Sequence, residues 1–146
     1  MRVRDLLKRK PSTLITVDSK APLQDAVRLL IEHNIGGLPV VASHGAVIGF
    51  IAERDVVRAL HEHQAAAHRL PVEQIMRPTP ACGVDELLED AMRRMTTQRQ
   101  RHLVVQETGR LIGVISVGDI VKYRLEQLEM ETAVLRDHLA AQRASR

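Results

Sequence analysis

Gly49-Phe50-Ile51-Ala52-Glu53-Arg54-Asp55 and Gly113-Val114-Ile115-Ser116-Val117-Gly118-Asp119 decide how this chain is read, because each is a variant of the other. Both run glycine, two apolar residues, a small residue, two variable positions and an aspartate. Working outward, Leu38-Pro39-Val40-Val41 precedes the first stretch and Leu103-Val104-Val105 the second. Further upstream stand Asp25-Ala26 and Asp90-Ala91, each opening an apolar helical stripe. The alanines lie 65 positions apart and the two later aspartates 64, so one residue is lost in the turn between. Two copies of one supersecondary unit build a pseudo-symmetric module with a cleft where they meet.

Leu23, Ala26, Val27, Leu30 and Ile31 recur at i, i+3, i+4, i+7 and i+8, an amphipathic helix that Leu88, Ala91, Met92 and Met95 repeat. Pro22 suits the first turn of that helix. Leu14 to Val17 is a short β-prone run, Leu38 to Val41 a buried-type strand, and Val47 to Ile51 its hairpin partner across Ser43-His44-Gly45. A second helix is expected from about Glu53 to His61. Each copy thus reads β-α-β-β-α, led in by a short helix at Val3 to Lys8 and by Val72 to Met76 respectively. The fold class is α/β (α+β), two repeats around a pseudo-twofold axis. The division is repeat 1 with its connector at 1–69, repeat 2 at 70–124, and a helical extension at 125–146. In that extension Val121, Leu125, Leu128, Thr132, Leu135 and Leu139 follow a 4, 3, 4, 3, 4 spacing, an a/d seam. It suits a helix folded back on its own domain or one that associates with a second copy.

With 146 residues the chain suits one compact unit. No apolar run reaches the ~18 residues of a membrane span. The start, Met1-Arg2-Val3-Arg4-Asp5, is unlike a secretory signal. Cys82 is the only cysteine, which points to a reducing, cytoplasmic setting and a small buried side chain. The net charge is +3, with Arg2, Arg4, Lys8, Arg9 and Lys10 clustered. That cluster could grip a nucleic-acid backbone, but Phe50 and Tyr123 are the only rings, too few for a stacking platform. Within the His61, His63 and His68 patch, His61 and His63 point about 200° apart on a helix, so a solvated connector is expected and not a metal site.

The repeated Gly-to-Asp stretch places a helix start at a strand end, where unpaired N–H groups attract anions. Ser116 adds a hydroxyl, and Asp119 a carboxylate able to accept from a vicinal diol such as a ribose. The competing reading is a capping box that serves only the helix. Ala52 has no capping oxygen, yet Asp55 is present, which favours a second task for the carboxylates, although the helix dipole also favours an acid there.

These paired motifs resemble tandem cystathionine-β-synthase (CBS) domains from Val3 to about Tyr123, and the stretch from Gly118 to Glu129 is similar to a bacterial stand-alone branch of that family. The resemblance implies cytoplasmic adenine-nucleotide sensing through two cleft pockets. In one, Asp119 would hold a ribose, Ser116 its phosphates, Arg101 and His102 polar or cationic contacts, and Ile15 and Ile35 the base. In the other, Asp55 would hold ribose and Arg54 phosphate, with Thr79, Ala81 and Gln100 joining from the second copy. Two departures, Ala52 for a hydroxyl residue and Val104 for a proline opposite Pro39, imply unequal pockets. The expected function is therefore regulatory and not enzymatic. The ligand would be AMP, ATP or NAD(H), with no obligatory cofactor, and the output would pass to a homodimer partner or an effector in trans. The alternatives are a nucleotide-dependent oxidoreductase or a nucleic-acid-binding protein.

Overall fold

A computed structural model describes residues 1–10 and 14–145; Arg146, the last residue of the extension, lies outside it. The elements run α1 (Val3–Leu7), β1 (Val17–Asp18), α2 (Leu23–Glu32), β2 (Gly37–Val41), β3 (Val47–Ala52), α3 (Glu53–His63), β4 (Ala81–Gly83), α4 (Leu88–Thr97), β5 (His102–Glu107), β6 (Arg110–Ser116) and α5 (Val117–Ala144). Two 3₁₀ turns, Gln64–Arg69 and Val72–Gln74, join the copies. In each three-stranded sheet the first strand pairs parallel, and the third antiparallel, with the middle one. A βα crossover requires the parallel pairing and a tight hairpin the antiparallel one.

The strand expected at Leu14 to Val17 forms instead at Val17–Asp18, where Val17 pairs with Val40 and Asp18 with Val41. Pro22 stands as the residue before the helix, and α3 runs two residues past His61. The Val72 to Met76 segment is a 3₁₀ turn rather than a helix matching α1.

Two cores result, and each lead-in segment serves the opposite copy. Val3 and Leu6 of α1 pack with Cys82, Leu88, Ala91, Met95, Leu103 and Ile115. Backbone bonds from Val3 and Arg4 to the carbonyls of Glu86 and Val84 hold that contact, each at 2.9 Å. Reciprocally, Ala67, Val72, Ile75 and Met76 join Val17, Leu23, Ala26, Leu30, Leu38 and Ile51. A third cluster seals the two copies together, with buried Phe50, Ala52 and Val104 flanked by Leu111 and Val114. Phe50 and Arg77 exchange two backbone hydrogen bonds of 3.0 Å across the same junction. Gly49 permits that approach, since a Cβ there would stand 2.4 Å from the Met76 sulfur and 3.0 Å from the Arg77 carbonyl.

Cys82 is buried within the second core, and desolvation, aided by Glu86, pushes its thiol up to about 11. It packs as an apolar side chain.

Candidate functional site

Each copy ends α2 or α4 with a residue of positive φ, Asn34 (50°) and Arg99 (53°), and then enters the middle strand. Asparagine tolerates that left-handed conformation; arginine does so at a cost of about 1 kcal/mol. The carbonyls of Gly36 and Arg101 next accept from the first amides of α3 and α5, Glu53 N–H at 3.1 Å and Val117 N–H at 3.0 Å. The two helix starts are thus tied to the two α-to-β turns, and two cavities open where these features meet.

The first cavity, about 700 Å³, is lined by Leu14, Ile15, Asn34, Ile35, Gly36 and Gly37 from the first copy. His102, Gly113, Val114, Ser116 and Asp119 come to it from the second, and Arg4, Lys8 and Lys10 from the N-terminal segment. The second cavity, about 450 Å³, is lined by Gly36, Ala52, Glu53, Arg54, Asp55, Val57 and Arg58, with Arg77, Arg99, Arg101 and His102. Both volumes fall in the range of small-molecule sites.

Ser116 and Asp119 form a complete capping box. The Ser116 amide donates to Asp119 Oδ2 at 2.8 Å, and the Asp119 amide to Ser116 Oγ at 3.2 Å. Lys10 Nζ donates to the same Oδ2 at 2.7 Å and also to the Val114 carbonyl. All three donors to this carboxylate (Ser116 N–H, Ser116 O–H at 3.0 Å, and Lys10) converge on Oδ2, while the side chain stays 24% exposed at the cavity wall.

Asp55 differs. Its side chain is 2% exposed and both oxygens are engaged. The Ala52 amide donates to Oδ2 at 2.8 Å, Arg77 Nε lies 3.3 Å from Oδ2, and Arg58 Nη1 donates to Oδ1 at 3.4 Å.

Among the remaining expected residues, Ile15, Ile35, Ser116 and His102 line the first cavity and Arg54 the second. Arg101 lines the second cavity rather than the Asp119 cavity. Thr79, Ala81 and Gln100 line neither. Ala81 is held in β4 opposite Val104, with its carbonyl accepting from Arg94 at 3.1 Å, and the Gln100 amide closes α4 on the Met95 carbonyl. His102 lines both cavities. It is neutral at pH 7, lowered to about 4 by burial first and by Arg77 next, against the opposing pull of Asp119. Its ring centroid is 5.3 Å from that of Phe50, and its buried Nδ1 has no hydrogen-bond partner.

Sequence reasoning overlooked Lys10, Arg58, Arg77 and Arg99. In the sequence Lys10 groups with the N-terminal cations. That cluster is largely consumed within the chain, with Arg4 paired to Asp85 and Glu107, Arg9 to Glu126, and Lys10 to Asp119. Arg58, one turn after Asp55, could have been noticed from its i+3 spacing.

The CBS-domain family model matches residues 3–62 and again 72–126, so this chain belongs to the CBS-domain family as a tandem pair. A crystal structure of the CBS-domain protein ATU1752 from Agrobacterium tumefaciens superimposes with a TM-score of 0.80 at 37% identity, covering 84% of this chain and 92% of that one. The CBS-domain pair of protein MJ0100, solved in complex with 5′-methylthioadenosine and S-adenosyl-L-methionine, superimposes with a TM-score of 0.76 at 25% identity, covering 87% and 98%. The protein MJ1225 of Methanocaldococcus jannaschii is 31% identical over 120 residues, which is 82% of this chain and 41% of that protein. Pairs of this family are commonly regulatory and ligand-binding. Among the described residues no helix is long and apolar enough to cross a membrane.

Proposed function

We propose that the first cavity binds an adenosine-containing ligand and that its occupancy biases the relative arrangement of the two copies, a regulatory signal read by a second protomer or an effector protein. The observation that carries this reading is the Asp119 carboxylate. Its protein donors gather on Oδ2, beside a cavity of about 700 Å³. Oδ1 therefore serves a ribose diol. Ile15 and Ile35 offer apolar faces to a base, while Ser116, Lys8 and Lys10 supply donors for phosphate. Bound adenosine compounds in the similar MJ0100 pair support the ligand class. Because the lining comes from both copies, a ligand that contacts both favours one arrangement over others by its differential affinity. AMP, ATP and NAD(H) are the expected candidates.

The second cavity supports a different occupant. Arg54, Arg58, Arg77, Arg99 and Arg101 surround it, and Asp55 is already spent on Arg58, Arg77 and the Ala52 amide. Phosphate groups suit such a lining, whereas a ribose would have to displace arginines from a buried carboxylate. ATP or another phosphate-rich nucleotide fits there better than a nucleoside.

Thermal unfolding of the full chain against AMP, ADP, ATP, NAD, NADH and S-adenosylmethionine tests the reading. A ligand at about 100 times its Kd adds about 2.7 kcal/mol, a rise of several degrees at this size. At least one adenine compound is expected to give it. A midpoint unmoved across the panel, starting from ligand-free protein, refutes the proposal.

A further inference from the structure

The distal two-thirds of α5 has no support from the body of the protein. Every residue from Leu128 to Ser145 is exposed, a projection of roughly 27 Å at 1.5 Å per residue. A solitary helix of this length is marginal in water. The contacts that anchor α5 come from Ile120 and Tyr123, with Arg9 stacked over the Tyr123 ring at 5.0 Å. At about 100° per residue the seam of Val121, Leu125, Leu128, Thr132, Leu135 and Leu139 points roughly 130° away from that anchored face. Leu125, Leu128 and Leu135 are 54%, 57% and 59% exposed. The seam therefore does not fold back on its own domain.

We infer that this seam is the interface with a second copy of the chain, the two α5 helices pairing parallel and in register as a coiled coil. With Leu125, Thr132 and Leu139 at a and Val121, Leu128 and Leu135 at d, the flanking charges become complementary. Arg124 at g faces the partner's Glu129 at e, and Glu131 at g faces the partner's Arg136 at e. The opposite placement of seam and anchored face leaves both bodies on the outside of the pair. Thr132 is compatible with a core position, since its hydroxyl is satisfied by the Leu128 carbonyl at 2.8 Å. This inference does not depend on what the cavities bind.

The test is light scattering and sedimentation of the full chain at about 50 μM. The expected mass is twice 16.3 kDa. Leu128→Arg with Leu135→Arg is expected to give a monomer whose body still melts cooperatively. Glu131→Arg, which sets two arginines against each other, is expected to raise the dimer dissociation constant about tenfold, and adding Arg136→Glu to restore it. Under mild oxidation Leu128→Cys is expected to cross-link to itself, as d positions do in a parallel pair. A monomeric wild type, a dimer indifferent to the paired arginine substitutions, or an α5 pair in which Leu128→Cys cross-links only to Leu135→Cys would each overturn the inference.

Discussion

Asp55 and Asp119 occupy equivalent places in the two copies, three residues past a strand end, and each accepts the amide of the residue at that end at 2.8 Å. From there they part. Asp55 is sealed, with guanidinium groups of Arg58 and Arg77 against its two oxygens. Asp119 keeps one side open to a cavity, opposite a lysine on a flexible stem. The neighbouring positions diverge in the same sense. Asn34, Gly36 and Gly37 of the first copy correspond to Arg99, Arg101 and His102 of the second. One copy thus contributes room to the first cavity, and the other contributes charge to the second. Duplication supplied two equivalent frames; the side chains at these few positions separate a ligand-facing acid from a structural one.

The largest expected effect tests the structural half of this contrast. Asp55→Ala leaves the buried Arg77 Nε without its carboxylate and the Ala52 amide without its acceptor, and is expected to cost about 3 kcal/mol, roughly 10 °C in the thermal midpoint. Asp119→Asn is expected to cost less than about 1 kcal/mol, since an amide oxygen can still accept at this part-exposed cap and the Lys10 pair stands beside an open cavity. Equal losses in urea titrations of the two variants would erase the distinction.

Gly37→Ala probes the position facing His102. A Cβ there would stand 2.7 Å from the Phe50 ring and 3.3 Å from His102, so a loss of about 2 kcal/mol is expected by denaturation. A neutral substitution would mean that the ring pair shifts freely.

Ser116→Ala gives the second copy the residue that the first has at Ala52. It is expected to cost about 1 kcal/mol and also to weaken whichever phosphate-bearing nucleotide the first cavity takes, read by paired melts with and without ligand.

At neutral pH the last effect vanishes, and it emerges only on acidification. Unfolded, His102 takes up a proton near 6.5; folded, it does so only near 4. Between those values the unfolded chain holds more protons, so stability is complete above about 6.5 and declines as pH falls toward 4. His102→Leu is expected to remove that increment, seen as a shallower midpoint-versus-pH curve over this interval than in wild type. Parallel curves would show that the imidazole is already solvated.

Much of the frame was legible because it rests on local, repeated signals. The i, i+3, i+4 stripes, the strand pairs around each hairpin and the Gly-to-Asp stretch all fall where periodicity and duplication put them. What was not legible depends on contacts far apart in sequence. The exchange of lead-in segments, Val3 into the second core and Val72 into the first, leaves no periodic trace. Neither does the capture of Asp55 by Arg77, which requires the crossing of β3 and the inter-copy segment at Phe50. Arg101, expected beside Asp119, lines the second cavity instead. In sequence it adjoins His102, which lines both cavities, so nothing local assigns its side. Lys10 looks like part of a surface charge cluster because nothing local connects it with an acid 109 residues away.

Calorimetric titration of AMP, NAD and S-adenosylmethionine into wild type and Asp119→Asn tests the role of the open carboxylate. A compound bound by the wild type is expected to lose at least tenfold in affinity, about 1.4 kcal/mol, while the ligand-free melting midpoint of Asp119→Asn moves by no more than a few degrees. Undiminished affinity in Asp119→Asn would contradict that role.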